Sequence, residues 1–233
     1  MRFETWPVFI GICHLNTEIQ NQEVFSQPSH DTQKLVTVGE RSVYKLYQLG
    51  GITDSEVMEK RIMEYIAGDP REDPGVWTHF CDLPSPRAYF GSSFHNNKIY
   101  IAGGKIVNAE NDEVETKNTA LYVDLQSKTC HEIPPMQEFR SKCTSFIVND
   151  LFYVFGGNLN IPSEFGEVYD IQQKSWRFLP SIPLPVSYPC VVTDNKFIYA
   201  FGLFNIKGYL QIYDPEMKTW SDSCKVSDDF TFN

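Results

Sequence analysis

Four segments of the chain end an apolar, alternating run on glycine, and a tyrosine stands three residues before the first glycine each time. They are KLYQLGG up to Gly51, KIYIAGG up to Gly104, LFYVFGG up to Gly157 and KFIYAFG up to Gly202. Their tyrosines, Tyr47, Tyr100, Tyr153 and Tyr199, are spaced by 53, 53 and 46 residues. A fixed period of this size is the signature of a repeat architecture, in which one supersecondary unit recurs because it cannot bury its own faces alone.

A second series runs in step with the first. Trp77, Cys130, Trp176 and Trp220 close the units, and an aspartate that ends another strand stands six residues before three of them: Asp124, Asp170 and Asp214. The first unit departs, with Asp69 eight residues before Trp77, as if its turn carried two extra residues. Each tyrosine strand follows a second apolar run across Asn, Asp or Gly, as in SSFHNNKIY and TSFIVNDLFY, which is a hairpin signal. The sum is four strands per unit and an all-β chain. Helical spacing occurs only in DSEVMEKRIMEYI, residues 54–66, which is read as a long loop with a helical turn. Loops after Gly51 and Gly104 are expected to be long, and those after Gly157 and Gly202 short.

Composition narrows the function. The formal charge of −10, with no basic cluster, excludes a protein that lives on nucleic-acid phosphates and favours basic or neutral partners. Six scattered cysteines lack the C-x-x-C spacing of a metal site and read as reduced structural thiols, so a cytoplasmic location is expected. The apolar stretch WPVFIGIC carries Pro7 and has no small-residue cleavage site, which speaks against a signal peptide. No run reaches the ~18 apolar residues of a membrane-spanning helix. Neither membrane nor nucleic acid is expected as a partner.

The units resemble kelch repeats, in which a hydrophobic strand ends in Gly-Gly and an aromatic residue is followed at fixed spacing by Trp. Gly103-Gly104, Gly156-Gly157, Tyr169-x6-Trp176 and Tyr213-x6-Trp220 match; Gly202-Leu203 and the Val123/Cys130 pair depart. The resemblance implies a kelch-type β-propeller over residues 32–224, with four-stranded blades at about 32–80, 87–134, 140–180 and 186–224. Residues 1–31 either form a degenerate blade or supply a closing strand, and 225–233 are a tail. Four blades are fewer than such a propeller uses, so self-association to complete it is among the expectations. The family's BTB, BACK or F-box regions have no match in this sequence.

Repeat residues are mostly structural. Gly50, Gly51, Gly103, Gly104, Gly156, Gly157 and Gly202, the four tyrosines, and Trp77, Trp176 and Trp220 are therefore assigned to core and turn roles. Function is expected in loops. Arg87 and Arg140 each lie thirteen residues before a blade tyrosine, an offset held by Lys34 in the first unit and Val186 in the last. In kelch adaptors that recruit acidic peptides, arginines at this position line the binding mouth, so the resemblance implies partner binding by Arg87 and Arg140. Lys34, Ser92, Ser93 and Ser141 are expected to assist; an inter-blade ion pair is the competing role for the arginines. Five histidines show no H-x-x-x-H pairing, and neither the copper site of kelch oxidases nor the E-x-x-x-D-x-x-x-H run of iron-dependent kelch specifier proteins can be matched. No catalytic residue, metal or cofactor is assigned. The expected function is a protein-protein interaction module, serving substrate recognition for a cullin-type ubiquitin ligase. The alternatives are an actin-associated scaffold or a decoy of full-length adaptors, and, in another class, a kelch-propeller enzyme.

Overall fold

Strand pairing dominates the computed structural model, which describes residues 8–13, 24–29, 34–40, 43–53, 57–66, 75–108, 113–157, 166–184, 187–194, 196–204, 207–222 and 224–227. Among them every regular element is a β-strand. Strands β1 (Val8–Cys13) and β2 (Val24–Ser29) form a hairpin. Strands β3 (Lys34–Glu40), β4 (Val43–Ile52), β5 (Met58–Ile66) and β6 (Val76–Asp82) form an antiparallel sheet in chain order. There follow β7 (Arg87–Ala88), β8 (Gly91–His95), β9 (Lys98–Ala102), β10 (Lys105–Val107), β11 (Val114–Thr116), β12 (Ala120–Asp124) and β13 (Thr129–Ile133). Of these, β8, β9, β12 and β13 make the second four-stranded sheet, and β11-β10-β7 a small one beside the repeat pattern. The third sheet is β14 (Cys143–Val148), β15 (Leu151–Gly156), β16 (Glu167–Asp170) and β17 (Ser175–Phe178). The fourth is β18 (Ser187–Thr193), β19 (Ile198–Phe204), β20 (Lys207–Asp214) and β21 (Thr219–Trp220), with β22 (Cys224–Ser227) also paired to β20. Strand β22 thus occupies part of the segment read as a tail.

The chain divides into two compact units. One comprises Met1–Tyr89, Lys105–Glu115 and Val123–Cys130; the other Phe90–Gly104, Thr116–Tyr122 and His131–Asn233. The first buries Tyr47, Leu49, Ile62, Phe80 and Leu83. In the second, Tyr153, Phe155, Val168, Leu179, Ile198 and Tyr213 form one core cluster, and Tyr100, Met136, Phe152, Val154 and Tyr169 another.

The tyrosine register is real at the level of pairing. Tyr47 faces Val36, Tyr100 faces Ser93, Tyr153 faces Phe146 and Tyr199 faces Val192 across the first two strands of each sheet. Across the outer two strands, Tyr169 faces Trp176 and Tyr213 faces Trp220, with ring centroids 5.2 and 5.0 Å apart. Tyr65 and Trp77 repeat this pair at 5.2 Å. Asp124, Asp170 and Asp214 end their strands by accepting two backbone N–H groups from residues two and three further on. A carboxylate that closes its own turn in this way is why aspartate recurs there.

Four expectations are corrected. Residues 58–66 are neither loop nor helical turn but the third strand of the first sheet. Its alternation is masked because a charged residue points inward: Glu64 is buried, accepting the Tyr47 hydroxyl at 2.7 Å and the Lys45 ammonium at 3.0 Å. Burial works against its ionisation, but these two partners outweigh it and hold the carboxyl below the usual carboxylate range. Secondly, Ile66, opposite Lys45, stands at the register that Asp170 holds opposite Leu151. Asp69 lies outside the described residues, and the turn before Trp77 is five residues longer than its counterparts rather than two. Thirdly, the connection after Gly51 is short because β5 begins at Met58, whereas the one after Gly157 runs on to Glu167. Finally, Gly202 is an ordinary strand residue opposite Tyr209: with Leu203 in place of a second glycine, β19 continues to Phe204.

Candidate functional site

The glycine pairs and the arginines prove to be two halves of one arrangement. Gly50 and Gly103 hold φ of +47° and +66°. A Cβ on Gly50 would come within 2.6 Å of the Arg87 carbonyl, and one on Gly103 would strike the Arg140 carbonyl. A left-handed backbone with a neighbouring carbonyl in the side-chain position admits glycine alone. Gly51, Gly104, Gly156 and Gly157 also have positive φ. The Gly104 N–H donates to the Arg140 carbonyl at 2.6 Å. The arginine positions are therefore fixed by their backbones against the glycine turn of the preceding repeat.

Their side chains point inward too. Arg140 is fully buried, as is Glu167, whose Oε1 accepts the Arg140 Nε at 3.2 Å. Arg140 Nη1 donates to the Gly156 carbonyl at 3.0 Å. Arg87, in β7, is 5% exposed. The expected pair of loop arginines presented to an acidic peptide is corrected accordingly: Arg140 is internally neutralised by Glu167, and neither guanidinium lies on the surface. Ser92, Ser93 and Ser141 are buried as well. Ser92 and Ser93 are neighbours in β8 and so face opposite ways; Ser93 Oγ lies 3.1 Å from Ser145 Oγ. Among the described residues no hydrogen-bond partner reaches Ser92 Oγ. Lys34 opens β3 opposite Leu49; its side chain and Val186 lie outside what is described.

What the arginine position does present is its neighbour. Phe139 is 56% exposed. It rides on the segment between β13 and β14, residues 134–142, and that segment is pinned along its length. Trp176 Nε1 donates to the Pro134 carbonyl at 2.6 Å. Met136 is buried, its N–H donating to the Asn118 carbonyl at 2.9 Å while Asn118 Nδ2 donates to the Met136 carbonyl at 2.8 Å. The N–H groups of Gln137 and Glu138 donate to the Glu167 carboxylate at 2.7 and 3.1 Å, and the Arg140 N–H donates to the Lys117 carbonyl at 3.2 Å. Glu167 thus holds both the loop backbone and the arginine. A single exposed apolar residue is ordinary on any protein surface. Phe139 differs because its backbone is immobilised and because it breaks the repeat: Pro86 and Pro185 precede Arg87 and Val186 at the same register. That departure is the signal in the sequence from which Phe139 could have been singled out.

Of the repeat aromatics, Tyr47, Tyr100 and Tyr153 are buried, whereas Trp77 is 40% exposed and so is no core residue. Burial pushes the Tyr100 and Tyr153 phenols up to about 12, and Tyr47, desolvated and donating to Glu64, higher still. Trp220 Nε1 donates to the Pro180 carbonyl at 3.0 Å, as Trp176 does to Pro134. Tyr199 departs, its hydroxyl donating to the exposed Asp194 carboxylate at 2.9 Å.

A family profile described as the Kelch motif matches residues 86–137, which run from Pro86 through the second four-stranded sheet into the Phe139 segment. Residues 86–137 thus carry a Kelch motif, and the relatives that match the chain are named for kelch repeats or scruin. Alpha-scruin of Limulus polyphemus is 28% identical to it over 158 residues, 63% of this chain and 17% of scruin. Kelch-like protein 38 of Rattus norvegicus is 24% identical over 219 residues, 89% of this chain and 36% of that protein. The chain therefore spans well under half the length of these relatives. A solved structure described as "Structure of YjhT" superposes with a TM-score of 0.65 at 13% identity, covering 85% of this chain and 67% of that one. At that identity the likeness bears on fold alone, and with the four-stranded antiparallel sheets it makes the fold class all-β, a kelch-type β-propeller. Among the described residues no helix is long and apolar enough to cross a membrane.

Proposed function

We propose that this chain is a protein-interaction module that grips a partner protein through the pinned segment 134–142, with Phe139 as its aromatic anchor. The supporting observation is an exposed ring on a backbone already fixed by Glu167, Arg140, Asn118 and Trp176. Most of the ordering cost of an interface residue is absent when its loop is held before binding, which is why rigid aromatic residues dominate interface energetics. With Arg140 neutralised internally, the reading favours a partner that offers an apolar cleft over one that offers carboxylates.

Affinity capture from a lysate, followed by quantitative mass spectrometry, tests it. Phe139→Ala lowers recovery of the captured partner about 30-fold, a typical anchor loss, while the melting temperature stays put. Equal recovery by both proteins defeats the assignment of Phe139. The identity of the captured proteins separates the finer roles: cullin-complex components support substrate recognition for a ubiquitin ligase, and actin without them supports a cytoskeletal scaffold.

A further inference from the structure

In the second repeat, cysteine stands where the third and fourth place the closing tryptophan. Trp176 and Trp220 each donate an indole N–H to the carbonyl of a proline some forty residues earlier, Pro134 and Pro180. Cys130 makes the corresponding bond with its thiol, Sγ lying 3.3 Å from the Asp82 carbonyl. Another cysteine, Cys81, occupies the residue before that carbonyl. The Cys81 and Cys130 thiols hydrogen-bond one another, on β6 and β13, within one compact unit. Both are free and partly exposed, whereas Cys143 is buried and gives its S–H to the Ala102 carbonyl.

We infer that Cys81 and Cys130 form a peroxide-oxidisable dithiol site, which closes to a disulfide between β6 and β13. The hydrogen bond divides the roles. The Cys81 S–H donated to Cys130 stabilises negative charge on Cys130, lowering that thiol and raising Cys81 well above the ordinary range. Charged neighbours act in both directions: Lys128, whose ammonium lies 4.8 Å from the Phe80 ring centroid, favours the thiolate form of Cys81, and Asp82 opposes ionisation of both thiols. Asp82 is itself paired with Lys60 at 3.2 Å and His79 at 2.9 Å, which weakens its repulsion. In the first step the Cys130 thiolate attacks one oxygen of hydrogen peroxide; the O–O bond breaks, giving the Cys130 sulfenic acid and hydroxide. In the second, Cys81 sulfur attacks the sulfenic sulfur, the S–S bond forms, and the hydroxyl leaves as water with the Cys81 proton. Two thiols are oxidised and one peroxide is reduced. The covalent link then straps together the strands that the thiol-to-carbonyl bond joins in the reduced chain.

The full chain, reduced and then treated with hydrogen peroxide, provides the test. Its six thiols fall to four, and trypsin digestion without reductant yields residues 72–87 joined to residues 129–140, each peptide carrying one cysteine. In Cys81→Ser, a dimedone probe labels Cys130 as the trapped sulfenic acid; in Cys130→Ser, Cys81 stays unlabelled. Because the peptide link is read on the unsubstituted protein, the result does not depend on either variant folding. Oxidation confined to the exposed Cys190 and Cys224, or random pairing of all six cysteines, overturns the assignment.

Discussion

Replacing Glu167 tests the reasoning about the candidate site most directly, because one buried carboxylate is assigned three jobs. It neutralises the fully buried Arg140 at 3.2 Å and accepts the Gln137 and Glu138 N–H groups at 2.7 and 3.1 Å. Glu167→Ala takes the paired carboxylate away from a buried cation, a loss of about 3–5 kcal/mol, and removes the acceptor of the 137 and 138 N–H groups as well. At roughly 2–4 °C per kcal/mol for a chain of this size, melting should fall by about 6–20 °C. The fourth repeat supplies the control. There Gln211, fully buried at the register of Glu167, accepts the Leu184 N–H and donates to the Leu184 carbonyl, both at 2.8 Å, with Val186 at the arginine offset. The double variant Arg140→Val/Glu167→Gln copies that neutral pairing and should melt within about 2 kcal/mol of the parent, better than Glu167→Ala or Arg140→Ala alone. Thermal unfolding followed by tryptophan fluorescence suits the question, because Trp176 is bonded to the same segment through Pro134. A Glu167→Ala protein melting within about 2 °C of the parent, or a double variant worse than both single ones, refutes the buried clamp.

Two further outcomes follow from the same geometry. Gly103→Ala should destabilise by more than the ~1–2 kcal/mol of a left-handed alanine, because its methyl also meets the Arg140 carbonyl; a melt unchanged from the parent contradicts this close approach. The buried phenols of Tyr100 and Tyr153 titrate at about 12 in the folded chain against about 10 when unfolded. A folded value raised in this way contributes stability that is complete below pH ~10 and is lost as pH climbs toward ~12, since only the unfolded chain releases the protons in that window. If the titration difference between the parent and Tyr100→Phe/Tyr153→Phe shows tyrosinate forming at pH ~10 while the fold persists, these two phenols are exposed instead.

The sequence reading succeeds where a residue type answers a local need. The strand-end aspartates close their own turns, and the Gly-Gly pairs take positive φ, so both recur wherever the turn recurs. It fails at β5, where Glu64 occupies an inward position because Tyr47 and Lys45, 17 and 19 residues away in the chain, satisfy it. It fails again at the arginines: their spacing is legible, but whether a guanidinium meets a partner or a buried Glu167 depends on a residue 27 positions further on.

The amino-acid order alone determined an all-β chain of repeated four-stranded sheets, because the Tyr, Gly, Asp and Trp periods arise from pairing and turn geometry within each unit. Only the tertiary structure decided which groups face inward. It buried Arg87, Arg140 and the three serines, left Phe139 outside on a fixed loop, and brought Cys81 to Cys130. The physical reason is that burial and long-range partnership depend on how units pack, and a side chain's charge or polarity states what it requires without stating which distant residue provides it.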